Sequence, residues 1–154
     1  MPETSSRHQS GFGLIEVMVA ILILSLAFLG LAALVIRALA TNTTAMARSV
    51  ATVAAYSIQD AMRSDRSNAV SGKYNVSKIT PPNNCPAASG TLAQAQLNRW
   101  CTEDLAHKVL NGAATGTIAC TATGLCTVTI TWDDSRNGKV GGSATQTVTA
   151  VSML

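Results

Sequence analysis

At 154 residues the chain has room for one ordinary domain and not two. Eleven Lys and Arg against eight Asp and Glu leave a net charge of +3, too mild to imply nucleic acid as a partner by itself. Two Trp, two Tyr and two Phe are too few for a large aromatic binding cleft.

Residues 1–11, MPETSSRHQSG, are polar and carry Arg7 as their one firm positive charge. Val17 to Ile36 is a run of twenty residues without a charge, about 30 Å of helix and a match to the hydrocarbon core of a bilayer. Glu16 stands immediately before that run. A carboxylate at membrane depth costs roughly 2.5 kcal/mol or more, so membrane helices rarely carry one without a partner. A plain signal anchor accounts for the length of the segment and leaves Glu16 without a purpose. A secretory signal peptide cleaved after Ala38-Leu39-Ala40 has a suitable A-x-A triplet. Against it, the apolar region is too long, Arg37 intrudes before the site, and Glu16 interrupts the passage from charged to apolar residues.

A third reading rests on Gly11-Phe12-Gly13-Leu14-Ile15-Glu16 together with the apolar run. These residues resemble the signal of type IV prepilins and pseudopilins. The resemblance implies cleavage by a prepilin peptidase between Gly11 and Phe12 on the cytoplasmic side, followed by N-methylation of Phe12. Glu16 then becomes the fifth mature residue. Where the family usually has Ser or Thr after the Phe, this chain has Gly13, which is small enough to fit. Cleavage creates a positive α-amine on Phe12, one helical turn from Glu16. In a helical bundle Glu16 can accept the amine of a neighbouring subunit, and opposite charges a few ångströms apart in a low dielectric offset the burial of each. The acid is thus a docking group. Residues 1–11 become a leader, 12–36 the transmembrane and filament-core half of a helix, and 37–154 a head. Arg7 and Arg37 leave the positive-inside count close to neutral, so the orientation, with the head in the periplasm, follows from the resemblance and from the downstream cysteines.

No proline occurs between Pro2 and Pro81, and the helical pattern continues past Ile36. Leu39, Met46, Val50 and Val53 fall on one face, broadened by Ala54, Ile58, Ala61 and Met62. Arg48, Gln59, Asp60, Arg63 and Asp65 are left for the wetter sides. The spacing predicts one helix of about fifty residues ending near Arg66, before Ser67-Asn68 and Gly72, apolar all round in its first half and amphipathic in its second. Residues 67–90 are turn-rich, with a short strand from Tyr74 to Ile79. A second helix is expected over 91–110, capped by Thr91 and stopped by Gly112, with Leu92, Ala95, Trp100, Leu105 and Val109 on its apolar face.

The rest of the chain reads as strands. Cys126, Val128, Ile130 and Trp132 alternate with threonines, and Ile118 and Cys120 alternate before them. If Thr121 pairs with Leu125, the loop is Ala122-Thr123-Gly124, with glycine where a positive φ is wanted. That register sets Cys120 opposite Cys126 and Ile118 opposite Val128 on one face, within disulfide reach. Four cysteines, Cys85, Cys101, Cys120 and Cys126, read as two bridges made in an oxidising compartment. The hairpin predicts Cys120–Cys126, and Cys85–Cys101 follows by elimination. After the turn at 133–142 a last strand over 145–153 completes an antiparallel meander. The expected fold is α+β: a long N-terminal helix packed on a small C-terminal antiparallel sheet.

No catalytic constellation stands out. Glu103, Asp104 and His107 share one segment, where Glu103 to His107 is the spacing of a helix-surface pair. No GxSxG elbow, SxxK pair or phosphate loop is present. Asp133-Asp134 reads as a solvated turn. With no CxxC pair and His107 the only histidine after the apolar run, no metal site and no cofactor are expected. The run ILILSLAFLGLAAL, then DAMRSD, a Trp-bearing helix and a strand ending in Trp132-Asp133 resemble PilV-type minor pilins, with the I-type pseudopilin of type II secretion as the nearest alternative. The resemblance implies a structural subunit that primes pilus assembly and enters the fibre near its tip. It also implies a prepilin peptidase/N-methyltransferase, other minor pilins, the major pilin and the inner membrane as partners. A binding head, for adhesion or DNA uptake, is the other class. From Thr41 onward nine Lys and Arg face six Asp and Glu, but they are spread out and form no basic stripe, which argues against nucleic acid.

Overall fold

The computed structural model describes residues 11, 13–112, 114–135 and 145–154. The chain divides into two units, the N-terminal one up to Ala38 and a second spanning Leu39–Leu154. A single helix, α1, covers Leu14–Ser64, and after Asp65 a short helix α2 takes Arg66–Val70. Gly72, at φ +81°, then turns the chain away.

In the N-terminal unit every described residue is exposed, and the most apolar window of α1 reaches a mean hydropathy of 3.0. That length and composition suffice to cross a membrane.

In the second unit four strands form one sheet in the order β1 (Val76–Ile79), β2 (Thr115–Cys120), β3 (Leu125–Trp132) and β4 (Gln146–Met153), each antiparallel to its neighbour. The strand expected from Tyr74 starts at Val76, because the Tyr74 side chain is buried and its hydroxyl bonds to Asp65 and Gln96. The β2–β3 register is the one the alternation predicts. Cys120 opposes Cys126, Ile118 opposes Val128, and Gly124 at φ +96° makes the turn. Ile118, Cys126, Val128, Ile130 and Trp132 face the core. On the other face threonines line up across the strands, Thr115, Thr131 and Thr147 in one row and Thr117, Thr129 and Thr149 in the next.

The face that α1 buries overlaps the expected one in part: Ala54, Ile58 and Met62 are buried as the spacing predicts. Thr44, Ala47, Ala51, Ala54, Ala55, Ile58, Gln59 and Met62 are buried, whereas Leu39, Met46 and Val53 are 60%, 54% and 64% exposed. Val50 is half-buried. The alanines let the helix backbone approach closely, and larger side chains from opposite fill the space. Trp100 reaches across and its Nε1–H donates to the Ala54 carbonyl at 2.9 Å. Gln59, expected on a wet side, instead donates from Nε2 to the Ala150 carbonyl at 3.1 Å.

The second helical segment also differs. Thr91 caps α3 (Leu92–Arg99) in a reciprocal box with Gln94. A π-helical turn follows at Trp100–Leu105, and a 3-10 turn at Lys108–Leu110 ends on Asn111 and Gly112, both at positive φ. Ala93, Leu97, Trp100, Cys101 and Leu105 are buried, the expected Trp100 and Leu105 among them, while Leu92 and Ala95, expected inside, are exposed.

Both disulfides close within this unit. Cys85–Cys101 has its Cα atoms 5.6 Å apart and ties the 80s loop to the π turn, and Cys120–Cys126 at 4.1 Å spans the hairpin. Non-reducing peptide mapping is expected to recover these two linked pairs and no Cys101–Cys120 peptide. Replacing Cys85 and Cys101 together by Ser is expected to lower stability by about 3 kcal/mol, the loop-closure entropy for that separation, read as a denaturation midpoint.

Candidate functional site

The N-terminal segment carries the strongest chemical signal. Helix α1 begins just after Gly13, whose carbonyl accepts from the backbone N–H of Glu16 at 3.0 Å and of Val17 at 3.4 Å. Glu16 thus lies in the first turn, where unsatisfied N–H groups and the helix dipole favour an anion. Its carboxylate makes no hydrogen bond or ion pair among the described residues. Val17, Ala20, Ile21 and Leu24 continue from it as an apolar groove on one side of the helix. Gly11 is exposed, and Phe12, the expected site of cleavage and methylation, lies outside the described residues. The arrangement sets an exposed hydrogen-bond acceptor beside exposed apolar side chains on one face of the helix.

Elsewhere several polar side chains are held in local structural bonds. Arg99 Nε donates to Glu103 Oε2 at 3.1 Å, so Glu103 pairs one turn back and not with His107. The π turn and the break after Leu105 carry His107 off the helix, and its Nδ1 accepts from the Val109 N–H at 3.3 Å. Asp104 lies half-buried in a groove between α1 and the π turn, with Ser57, Arg99 and Trp100 around it. Burial pushes its pKa up, against the opposing pull of a Ser57 hydrogen bond and the Arg99 charge. Burial also holds the Tyr74 phenol well above its ordinary range, and the Asp65 carboxylate adds to the shift.

Asp134, expected to solvate a turn, is 5% exposed. Thr44 Oγ1 donates to its Oδ2 at 2.7 Å, which ties the end of β3 to α1. Among the described residues no group of three or more His, Cys, Asp or Glu is placed to hold a metal ion.

The prokaryotic N-terminal methylation motif matches residues 6–32. This match covers the signal, Glu16 and most of the apolar run, and it supports a type IV pilin-like protein. It implies processing by a prepilin peptidase and assembly with other pilins. With the apolar helix it fits membrane anchoring before assembly. Neither the comparison with curated proteins nor that with solved structures gives a match.

Proposed function

We propose that the chain is a minor pilin, a structural subunit that helps to prime a type IV pilus and is built into the fibre near its tip. In this reading residues 1–11 are a leader, 12–36 cross the inner membrane and later pack in the filament core, and 37–154 form a head that starts in the periplasm. The observation that carries it is Glu16, exposed in the first turn of an apolar helix and inside the matched methylation motif. Up to Ala38 that helix buries none of its apolar surface among the described residues, so it needs a bilayer first and neighbouring helices afterwards. Transfer from one to the other is the physical content of pilus assembly. The acid sets the stagger between neighbours by accepting their N-terminal amine.

Two measurements test the reading. N-terminal sequencing of the membrane form is expected to give N-methyl-Phe12, whereas a chain starting at Thr41 would establish a signal peptide and remove the assignment. Deletion is expected to reduce surface fibres while leaving protein secretion intact. Loss of secretion with normal fibres would make the chain a pseudopilin of a secretion system.

A further inference from the structure

A sheet edge presents unpaired N–H and C=O groups, a template on which another strand can pair. The two edges of this sheet are built differently. β1 has four residues, its register against β2 shifts between Val76 and Ile79, and it carries Lys78. The chain then turns back over it: Asn84 Nδ2 donates to the Lys78 carbonyl at 2.9 Å, and Thr80 and Asn84 exchange backbone bonds. The Cys85–Cys101 disulfide pins that returning segment. Charge, irregular register and a covering loop are ordinary ways of blunting an edge.

Among the described residues β4 has none of these. It pairs with β3 without interruption from Gln146 to Met153, and it contains no charge and no proline. The Leu154 N–H donates to the Gly124 carbonyl, which sets the alternation of the ladder. Even-numbered residues of β4 turn their backbone groups to β3, so Thr147, Thr149, Val151 and Met153 turn theirs to the open side. The side chains of these four residues are exposed.

Direction decides what can dock there. α1 and β4 run the same way, since Arg48 meets Gln146, Gln59 meets Ala150, and Arg66, just beyond α1, meets Leu154. β1 and β3 therefore run against α1. Subunits whose long helices enter one bundle from one membrane all point in the same direction. A second copy pairing antiparallel through its own β4 would reverse its helix. A parallel self-pair would set the two core faces on opposite sides. A second copy offering β1 would keep its direction, but that edge is blocked.

We propose that β4 is the docking edge for one extended strand of a different pilin-like subunit, a strand that runs antiparallel to that subunit's own long helix. The proposal rests on the subunit reading above. It makes the chain one-sided: the sheet continues across β4 and ends at β1.

The test places a photo-cross-linking residue at Thr149 or at Ser77 in the full chain, expressed in its own cells, and analyses sheared fibres by mass spectrometry. Position 149 is expected to link to an extended segment of a chain of different sequence that carries its own N-terminal methylation motif, and position 77 is expected to give no such link. Thr149→Pro removes an outward N–H that the fold does not use, and it is expected to lower recovery of that partner about tenfold, the equivalent of one or two lost hydrogen bonds. Thr149→Lys leaves the backbone intact, and the same drop with an unchanged disulfide map separates lost docking from lost folding. Links from 149 only to a second copy, equal linking from 77, or wild-type recovery with both variants would overturn the proposal. Failure of the subunit reading looks different: the wild-type chain would be uncleaved at Gly11 and missing from fibres.

Discussion

Glu16→Gln is expected to give protein that inserts and is cleaved normally but assembles poorly. The substitution removes the charge at almost constant shape. If Glu16 were only a tolerated acid in a membrane helix, its loss would leave insertion unchanged or improved. If it receives the N-terminal amine of a neighbour, the variant leaves that amine buried and unpaired, and breaking one side of a buried pair is strongly unfavourable. The peptidase acts on the monomer before any neighbour exists, so processing does not depend on the contact. Processed protein should therefore accumulate in the inner membrane, with incorporation into fibres lowered at least about tenfold. Quantitative immunoblotting of membranes and sheared fibres reads both quantities together. Incorporation at the wild-type level would show that Glu16 has no docking role.

Gly116→Ala is expected to be among the most destabilising single substitutions in the head. Gly116 sits in β2 opposite Ile130, beneath the Trp100 ring. An added Cβ would meet Trp100 Cζ3 at 2.7 Å and Leu105 Cδ1 at 2.8 Å, closer than real Cβ contacts allow. The ring cannot easily retreat, because its Nε1–H is bound to the Ala54 carbonyl and the residue is 2% exposed. Overpacking of this kind costs about 1–3 kcal/mol. For a unit of this size that lowers the melting temperature by about 5–15 °C, read by circular dichroism on the detergent-solubilised chain. Trp100→Leu in the same chain should recover part of the loss, since the coupled term of a double-mutant cycle reports the clash itself. Additive effects, or a melting point within about 2 °C of the parent for Gly116→Ala, would mean that the strand yields without strain.

Where one residue type implies one geometry, the sequence is sufficient. Gly124 between two alternating strands dictates a tight hairpin, and Cys120 and Cys126 confirm its register because each faces the other only in that alignment. The apolar run is legible for the same reason, since a long uncharged segment has few physical uses. The buried face of α1 is harder to read. Hydrophobicity ranks Leu39, Met46 and Val53 above alanine, yet close approach to the sheet selects the alanines and leaves the larger residues outside. The same bias misplaces the face of α3: Leu92 outranks Ala93 in hydrophobicity, yet Ala93 and Leu97, four residues apart, are buried and Leu92 is exposed. Asp134 could not be seen in advance because its partner, Thr44, is ninety residues away in the chain.

The Cys120–Cys126 bridge closes a loop of only six residues. So short a closure removes less entropy from the unfolded chain than the Cys85–Cys101 bridge does. Its greater effect is on accuracy. A slip of one residue between β2 and β3 would exchange the two faces of β3, sending Thr127, Thr129 and Thr131 into the core and Val128, Ile130 and Trp132 into solvent. The same slip would move the two sulfurs to opposite sides of the sheet, where no bond can form. The bridge therefore acts as a register lock: once formed, it holds the hairpin in the alignment that buries Val128, Ile130 and Trp132 and penalises the one-residue slip.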